Sequence, residues 1–248
     1  MSSFARKYLD GVIHLLERIA EEEMPAIEEA AEIIAEAIAN GKRLFGFGCT
    51  HSALPVQDIA YRAGGLAIVN PILAPGIASL DVRPVRMTSA IERLPGYAKI
   101  ILDHTPIQEG DVLILVSVSG RNAVPIEMAQ LAKERGIKVI GVTSRTYTEG
   151  VASRHPSGKK MYEFADVVLD NKVDVGDAML EAEGAPQKFS PASGVTSTAI
   201  LHALMSATIE KLLARGITPP VFLAGNVDGS AEYNARLFEQ YKDRIFNL

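Results

Sequence analysis

The chain carries a single cysteine, Cys49, among 248 residues. That excludes an intrachain disulfide framework and any metal centre built on clustered thiolates, and it is what a reducing cytosol predicts. No run of about eighteen apolar residues occurs, so no segment reads as a transmembrane helix. The opening residues MSSFARKYLDGV have no apolar core followed by a small-residue cleavage site. Clusters of basic residues are missing too: 25 Lys and Arg against 30 Asp and Glu leave a net charge of -5 spread along the chain, which excludes the electrostatic footprint of a nucleic-acid binder. There is no internal repeat and no low-complexity tract. These absences predict a soluble, cytoplasmic protein with no nucleic acid and no membrane among its partners.

What is present is ordinary globular composition, 48% hydrophobic and 22% charged, in a chain long enough to bury a sizeable core. Up to about residue 41 the apolar residues recur at three- and four-residue steps. Phe4, Tyr8, Val12, Leu15, Leu16 and Ile19 form one stripe, Ile27, Ala30, Ala31, Ile34, Ala37 and Ile38 a second, with Met24-Pro25 as the break and Asn40-Gly41 as the stop. From Arg43 the period changes. The runs RLFGFG, LAIVN, VLILVSVS, KVIGVTS and ADVVLD are apolar on consecutive residues and alternate with helical patterns, which predicts a parallel sheet covered on both faces. A crossover helix is predicted between Ser119 and Lys138, with Pro125 in its first turn and Gly136 as its stop. Further helices are predicted from Gly194 to Arg215 and from about Ser230 to Phe246. Two connections, Pro71 to Ile91 and Asn171 to Ser193, are long enough to be functional.

Two glycine turns lie where strands should end: GFGCTHS, Gly46 to Ser52, and SVSGRN, Ser117 to Asn122. In an open parallel sheet that is where ligands bind. A dinucleotide fingerprint would need a third glycine where His51 stands, and the next strand ends in Asn70-Pro71 rather than in an acid. No G-x-x-x-x-G-K-[ST] string is present, and SVSGR lacks the first glycine of a nucleophile elbow. Cys49 and His51 would be a lone pair of metal ligands. A phosphate monoester fits better, since glycine turns that open into helix N-termini supply backbone N–H groups and a favourable dipole. Thr50, Ser52, Ser117, Ser119 and Asn122 add side-chain donors. The rival reading is that these residues only cap helices.

The stretch ILVSVSGRNAVPIEMAQLAKERGIKVIGVTS, Ile114 to Ser144, resembles the central signature of the sugar isomerase (SIS) domain, S-x-S-G-x-[TS] followed by a helix and a strand ending in a hydroxyl residue. GFGCTHSAL resembles that family's first G-x-G-x-S loop, with Thr50 where a serine is more usual. VSGRNAVPIEMA, VGDAMLEAEG and NVDGSAEYNARLFEQYKDRI resemble a group of stand-alone bacterial SIS proteins often labelled either uncharacterised or phosphosugar isomerases. The resemblance covers roughly Ala26 to Arg215. It implies an α/β fold of three layers, α/β/α, with a five-stranded parallel sheet in a flavodoxin-like arrangement. It also implies a single SIS domain over residues 1–248, with N-terminal helices over 1–41 packing on the sheet or on a partner and C-terminal helices over 194–248. A homodimer or higher homo-oligomer and a phosphosugar near the subunit interface follow by the same resemblance, with no cofactor and no metal. Ser117, Ser119, Gly120 and Asn122 would then hold the phosphate, and Gly48, Thr50 and Ser52 would line the sugar. Asn122 stands where a threonine is usual.

Aldose–ketose isomerisation needs a base that moves a proton between adjacent carbons and an acid that serves the oxygens. Glu92, in MTSAIERLPGYA, resembles the glutamate base of sedoheptulose-7-phosphate isomerases; its rival reading is a solvent-facing acid paired with Arg93. His202, between Leu201 and Leu204, lies in roughly the place of their catalytic histidine, and its rival reading is a satisfied core or interface group. His51 competes with it as the acid, while His104 and His155 sit in connecting segments from which a partner's site could be reached, with no specific motif in support. SPASGVTST, Ser190 to Thr198, would cap its helix or touch the sugar. Asp174, Asp177, Glu181 and Glu183 read as a lid with the option of binding a cation, and Arg145 and Lys188 as extra contacts to an anion. Alternatives to an isomerase are a non-catalytic phosphosugar sensor and a lyase resembling the N-acetylmuramic acid 6-phosphate etherases.

Overall fold

A computed structural model describes residues 3–78 and 83–246. The chain begins with α1 (Phe4–Glu22) and α2 (Met24–Ala39), separated at the single residue Glu23 because Pro25 can start a helix but not continue one. There follow β1 (Leu44–Gly48), α3 (Ala53–Ile59), β2 (Val69–Pro71), α4 (Arg86–Ile91), α5 (Tyr97–Asp103), β3 (Val112–Val116), α6 (Ala123–Glu134), β4 (Lys138–Thr143), α7 (Arg145–Glu149), β5 (Val167–Asp170), α8 (Ser193–Ala214) and α9 (Ser230–Tyr241). All five strands are parallel, in the order β2-β1-β3-β4-β5. The expected three-layer α/β/α architecture with a flavodoxin-like strand order is therefore present.

Every residue of β1 and β3 is buried, which is why those runs are apolar without alternation. Leu44, Val112, Ile114, Val116, Ile140 and Val142 face α2, α3 and α8, in one core with Ile34, Ile59 and Leu204. Phe45, Phe47, Leu113, Leu115 and Val139 face α5 and α6, in a second core with Leu102, Val124 and Met128. The N-terminal helices pack within their own chain: α2 lies against α8 and the sheet, with Ala30, Ala31, Ile34 and Ala35 fully buried.

Three expectations are corrected. The LAIVN run supplies only a short edge strand, because Leu66 bridges antiparallel to Val221 and leaves the sheet to Val69–Pro71. The last helix stops at Tyr241 rather than at Phe246: Phe246 folds back to stack on Phe45 at 6.0 Å, and its N–H donates to Asn70 Oδ1 at 2.6 Å. The connection from Pro71 to Ile91 contains α4, and its residues 79–82 lie outside the described residues. The other long connection, Asn171 to Ser193, is pinned down by an antiparallel bridge between Leu180 and Phe189, by Phe4 edge-on to Phe189 at 5.4 Å, and by Tyr8 donating to Pro191 O at 3.0 Å.

Candidate functional site

The strand order reverses between β1 and β3, so the loops leaving their carboxyl ends diverge to opposite faces of the sheet and open a crevice between them. A cavity of about 490 Å³ occupies that crevice, within the size range of small-molecule sites. Thr50, His51, Ser52, Ser117, Ser119, Asn122 and Glu92 all line it. Ser193, Gly194, Val195 and Ser197, from the start of α8, line it as well, together with Tyr147, Gly176 and Asp177.

The loop after β1 is bound up with itself. Its turn depends on Gly48, where a Cβ would sit 2.2 Å from the backbone oxygen of Ser52, and on Thr50 in the left-handed region at φ 54°. Thr50 N–H donates to Ile77 O at 2.8 Å, Ser52 N–H to Cys49 O at 3.0 Å, Ala53 N–H to Thr50 O at 3.2 Å and Leu54 N–H to His51 O at 3.1 Å. The side chains of Thr50, His51 and Ser52 are what this loop offers the cavity, and Ser52 does not use its hydroxyl to cap α3.

The loop after β3 is wired in the opposite sense. Val118 O accepts from Ser144 N and from Thr143 Oγ1, both at 3.0 Å, Gly120 O accepts from Met161 N at 3.0 Å, and Arg121 O accepts from Arg154 N at 2.8 Å. Its carbonyls are thus engaged by β4 and by the segment that precedes β5. The N–H groups of Ser119, Gly120, Arg121 and Asn122 find no acceptor among the described residues. They stand at the N-terminus of the twelve-residue α6, whose dipole adds to them. Asn122 occupies the N-cap position yet makes no capping bond; its Oδ1 accepts instead from Arg154 Nη1 at 3.1 Å. Gly120 is the left-handed residue of the turn, at φ 55°, and a Cβ there would lie 3.0 Å from Thr148 Oγ1.

Glu92 caps the C-terminal end of α4 and reaches the same cavity, while its carbonyl accepts from Val124 N at 3.1 Å and ties α4 to α6. Burial pushes its carboxyl above the ordinary range, and the Asn122 side chain, Arg93 and Arg154 pull it part of the way back. Asp177 is the other carboxylate on the cavity wall. It accepts from Ala192 N at 3.1 Å, Ser193 N at 2.8 Å and Ser193 Oγ, and so caps α8 from the long connection. That role commits its oxygens to the helix. Among the described residues no group of three or more His, Cys, Asp or Glu side chains is placed to hold a metal ion.

The remaining candidates fall elsewhere. His202 does not line this cavity. It sits in a separate groove with Arg62 and Met205, its Nε2 2.8 Å from Asp58 Oδ2, and its side chain is 41% exposed. His104 lies in an apolar groove beside α5, with Nδ1 2.9 Å from Ile100 O. His155 Nε2 is 3.5 Å from Glu127 Oε1. Lys188, Glu181 and Glu183 share a shallow cleft of their own, and the Arg145 guanidinium packs over the Tyr162 ring. The glycines Gly48 and Gly120 shape the loops without lining the cavity. Tyr147 and Arg154 were not singled out from sequence. A signal existed for Tyr147, because Ser144, the hydroxyl at the end of β4, caps α7 by accepting from Tyr147 N at 2.9 Å. Arg154 meets Asn122 across 32 residues of chain and has no local signature.

The family described as the SIS domain matches residues 7–144. A UPF0309 protein of Streptomyces griseus is 48% identical over 245 residues, spanning 99% of this chain and 98% of that protein. A UPF0309 protein of Oceanobacillus iheyensis is 42% identical over 243 residues, 98% of each. Among solved structures, a phosphoheptose isomerase from Neisseria gonorrhoeae is similar with a TM-score of 0.57 at 18% identity, covering 83% of this chain and 97% of that one. A phosphoheptose isomerase from Francisella tularensis gives 0.51 at 17% identity, covering 85% and 100%. At these identities the two structures establish the fold alone. Among the described residues no helix is long and apolar enough to cross a membrane.

Proposed function

This chain belongs to the SIS domain family and to the UPF0309 proteins, and we propose that its strand-end cavity binds a phosphorylated sugar and interconverts aldose and ketose forms by proton transfer. The observation that carries the reading is the wiring of the loop after β3, whose carbonyls are engaged behind it while the N–H groups of Ser119 to Asn122 stay open beside Ser117, at the start of a helix. A phosphate would take those donors, and the sugar would extend along Thr50, Ser52 and the start of α8. Glu92 is the base in this scheme. It removes the proton from the carbon next to the carbonyl and returns it to the neighbouring carbon. A carboxyl raised by burial is better matched to that task near neutral pH than an ordinary one. His51, on the cavity wall, serves the sugar oxygens. The names of the two structural neighbours, both phosphoheptose isomerases, favour the same chemistry.

The proposal extends to a cytoplasmic homo-oligomer. His202, outside the cavity of its own chain, remains in the scheme only as a group contributed by a second copy. A non-catalytic phosphosugar sensor is the second reading, and the position of His202 is what favours it. Thermal-shift measurements against a panel of sugar phosphates test the binding, since a ligand held only by the native state raises its melting temperature. Proton exchange at the second carbon of each hit, followed by NMR, separates enzyme from sensor. An isomerase exchanges that proton with solvent, and Glu92→Gln stops the exchange while leaving the thermal shift in place.

A further inference from the structure

Beside the cavity, on the Glu92 and Asn122 side, the charge is unbalanced. Arg154 donates to Asn122 at 3.1 Å and lies within electrostatic range of Arg121, Arg93 and Glu92. None of these three guanidiniums forms an ion pair with a carboxylate of the described residues, in a chain that has 30 acids to 25 Lys and Arg. Glu127, the nearest acid along α6, is already taken by Gly96 N–H at 2.7 Å and by His155 at 3.5 Å. Arg121 buries its Nε with no hydrogen-bond partner among the described residues. Arg93 and Arg154 are exposed and Arg121 is half-buried, and the neighbouring Arg121 and Arg93 work against the charge on Arg154, a like-charge repulsion that an anion would relieve.

The three side chains do not line the cavity itself. They stand next to its lining: Arg93 follows Glu92 in the chain, Arg121 precedes Asn122, and Arg154 is hydrogen-bonded to Asn122. Building on the phosphosugar reading, we propose that Arg93, Arg121 and Arg154 form a rim subsite for a second anionic group, so that the preferred ligand is a sugar phosphate carrying a carboxylate or a second phosphate. A planar guanidinium suits both groups, because it meets either one with two parallel hydrogen bonds.

Titration calorimetry with matched pairs tests this: glucose 6-phosphate against 6-phosphogluconate for a carboxylate, and fructose 6-phosphate against fructose 1,6-bisphosphate for a second phosphate. The expected result is that the doubly anionic member of at least one pair binds about tenfold more tightly or better, as one charge-assisted contact implies. That ratio should fall towards one in Arg93→Gln, a residue that belongs to neither loop, and in Arg154→Gln, and persist in part in Arg154→Lys. Melting curves of the variants confirm that the fold is kept. Equal affinities within both pairs, or a preference that survives both glutamine variants, overturn the rim subsite and leave the phosphosugar reading standing. Failure of every member of both pairs to bind removes the phosphosugar reading and the subsite with it.

Discussion

The loops after β1 and β3 look alike as sequence, each a glycine turn with small polar residues between a buried strand and a helix, yet their backbones are wired in opposite senses. In the loop after β1 the N–H groups of Thr50 and Ser52 are consumed, against Ile77 and inside the turn, leaving that of His51; in the loop after β3 the carbonyls of Val118, Gly120 and Arg121 are engaged from behind and the N–H groups of Ser119 to Asn122 are left over. The first is a wall that displays side chains and the second is, under the proposed function, the cradle for an anion. Which one a glycine turn becomes depends on who claims its carbonyls, here Ser144, Thr143, Met161 and Arg154, all of them distant in sequence. Composition of the turn alone does not decide it.

The strongest way to break the comparison is to disable the chemistry while keeping both loops. Glu92→Gln is isosteric and keeps the backbone link from Val124 to residue 92. Under the proposed mechanism kcat falls by about a thousandfold, in the range general-base catalysis supplies, while sugar-phosphate affinity stays within a few-fold. Initial rates alongside calorimetry measure both, and an unchanged kcat would remove Glu92 from the mechanism. The same substitution made in each loop then asks whether wall and cradle differ. In Gly48→Ala the new methyl meets the Ser52 backbone, which cannot move aside without opening the turn, so stability drops by about 3 kcal/mol and the melting temperature by roughly 10 °C. Gly120→Ala meets side chains rather than backbone, the Thr148 hydroxyl at 3.0 Å, the Thr143 hydroxyl at 3.4 Å and Met161 Cβ at 3.6 Å, but is forced into the left-handed region, at about 1 kcal/mol and roughly 3 °C. Its main effect should be on ligand, a loss of about tenfold in phosphate affinity as the open N–H groups turn off target. If the two alanine variants lose stability and affinity in the same proportion, the distinction between wall and cradle fails.

The sheet was legible in the sequence because parallel strands buried on both faces leave an unmistakable run of consecutive apolar residues, as in Leu113 to Val116. The edge strand was not, since Leu66 and Ile68 are as buried as strand residues while Leu66 pairs with Val221 outside the sheet. Local motifs likewise pointed to Thr50, His51, Ser52, Ser117, Ser119 and Asn122, which the fold gathers into one cavity because their loops leave adjacent strands at the point where strand order reverses. Glu92 came from a resemblance and does reach that cavity. His202 came the same way and does not, because its face of α8 turns to Asp58 on α3. Arg154 and the capping role of Asp177 rest on contacts spanning 32 and 16 residues, and no window of sequence contains them.

The smallest effect separates the loops through pH. Burial raises the Glu92 carboxyl in the folded protein, so the native state holds that proton more tightly than the unfolded chain does. Below the unfolded value both states are protonated and the residue makes no difference. As pH rises through the unfolded and then the folded value, ionisation costs more in the native state, and stability falls until both states are charged. Glu92→Gln should therefore melt higher than the parent at neutral pH and match it near pH 4, a convergence read from denaturant curves at several pH values. The gain is small because Asn122, Arg93 and Arg154 already offset part of the burial cost. Asn122→Ala removes one of those offsets, so in that background the glutamine gain at neutral pH should grow. A gain of the same size in both backgrounds would mean that the cradle and the carboxylate are not electrostatically coupled.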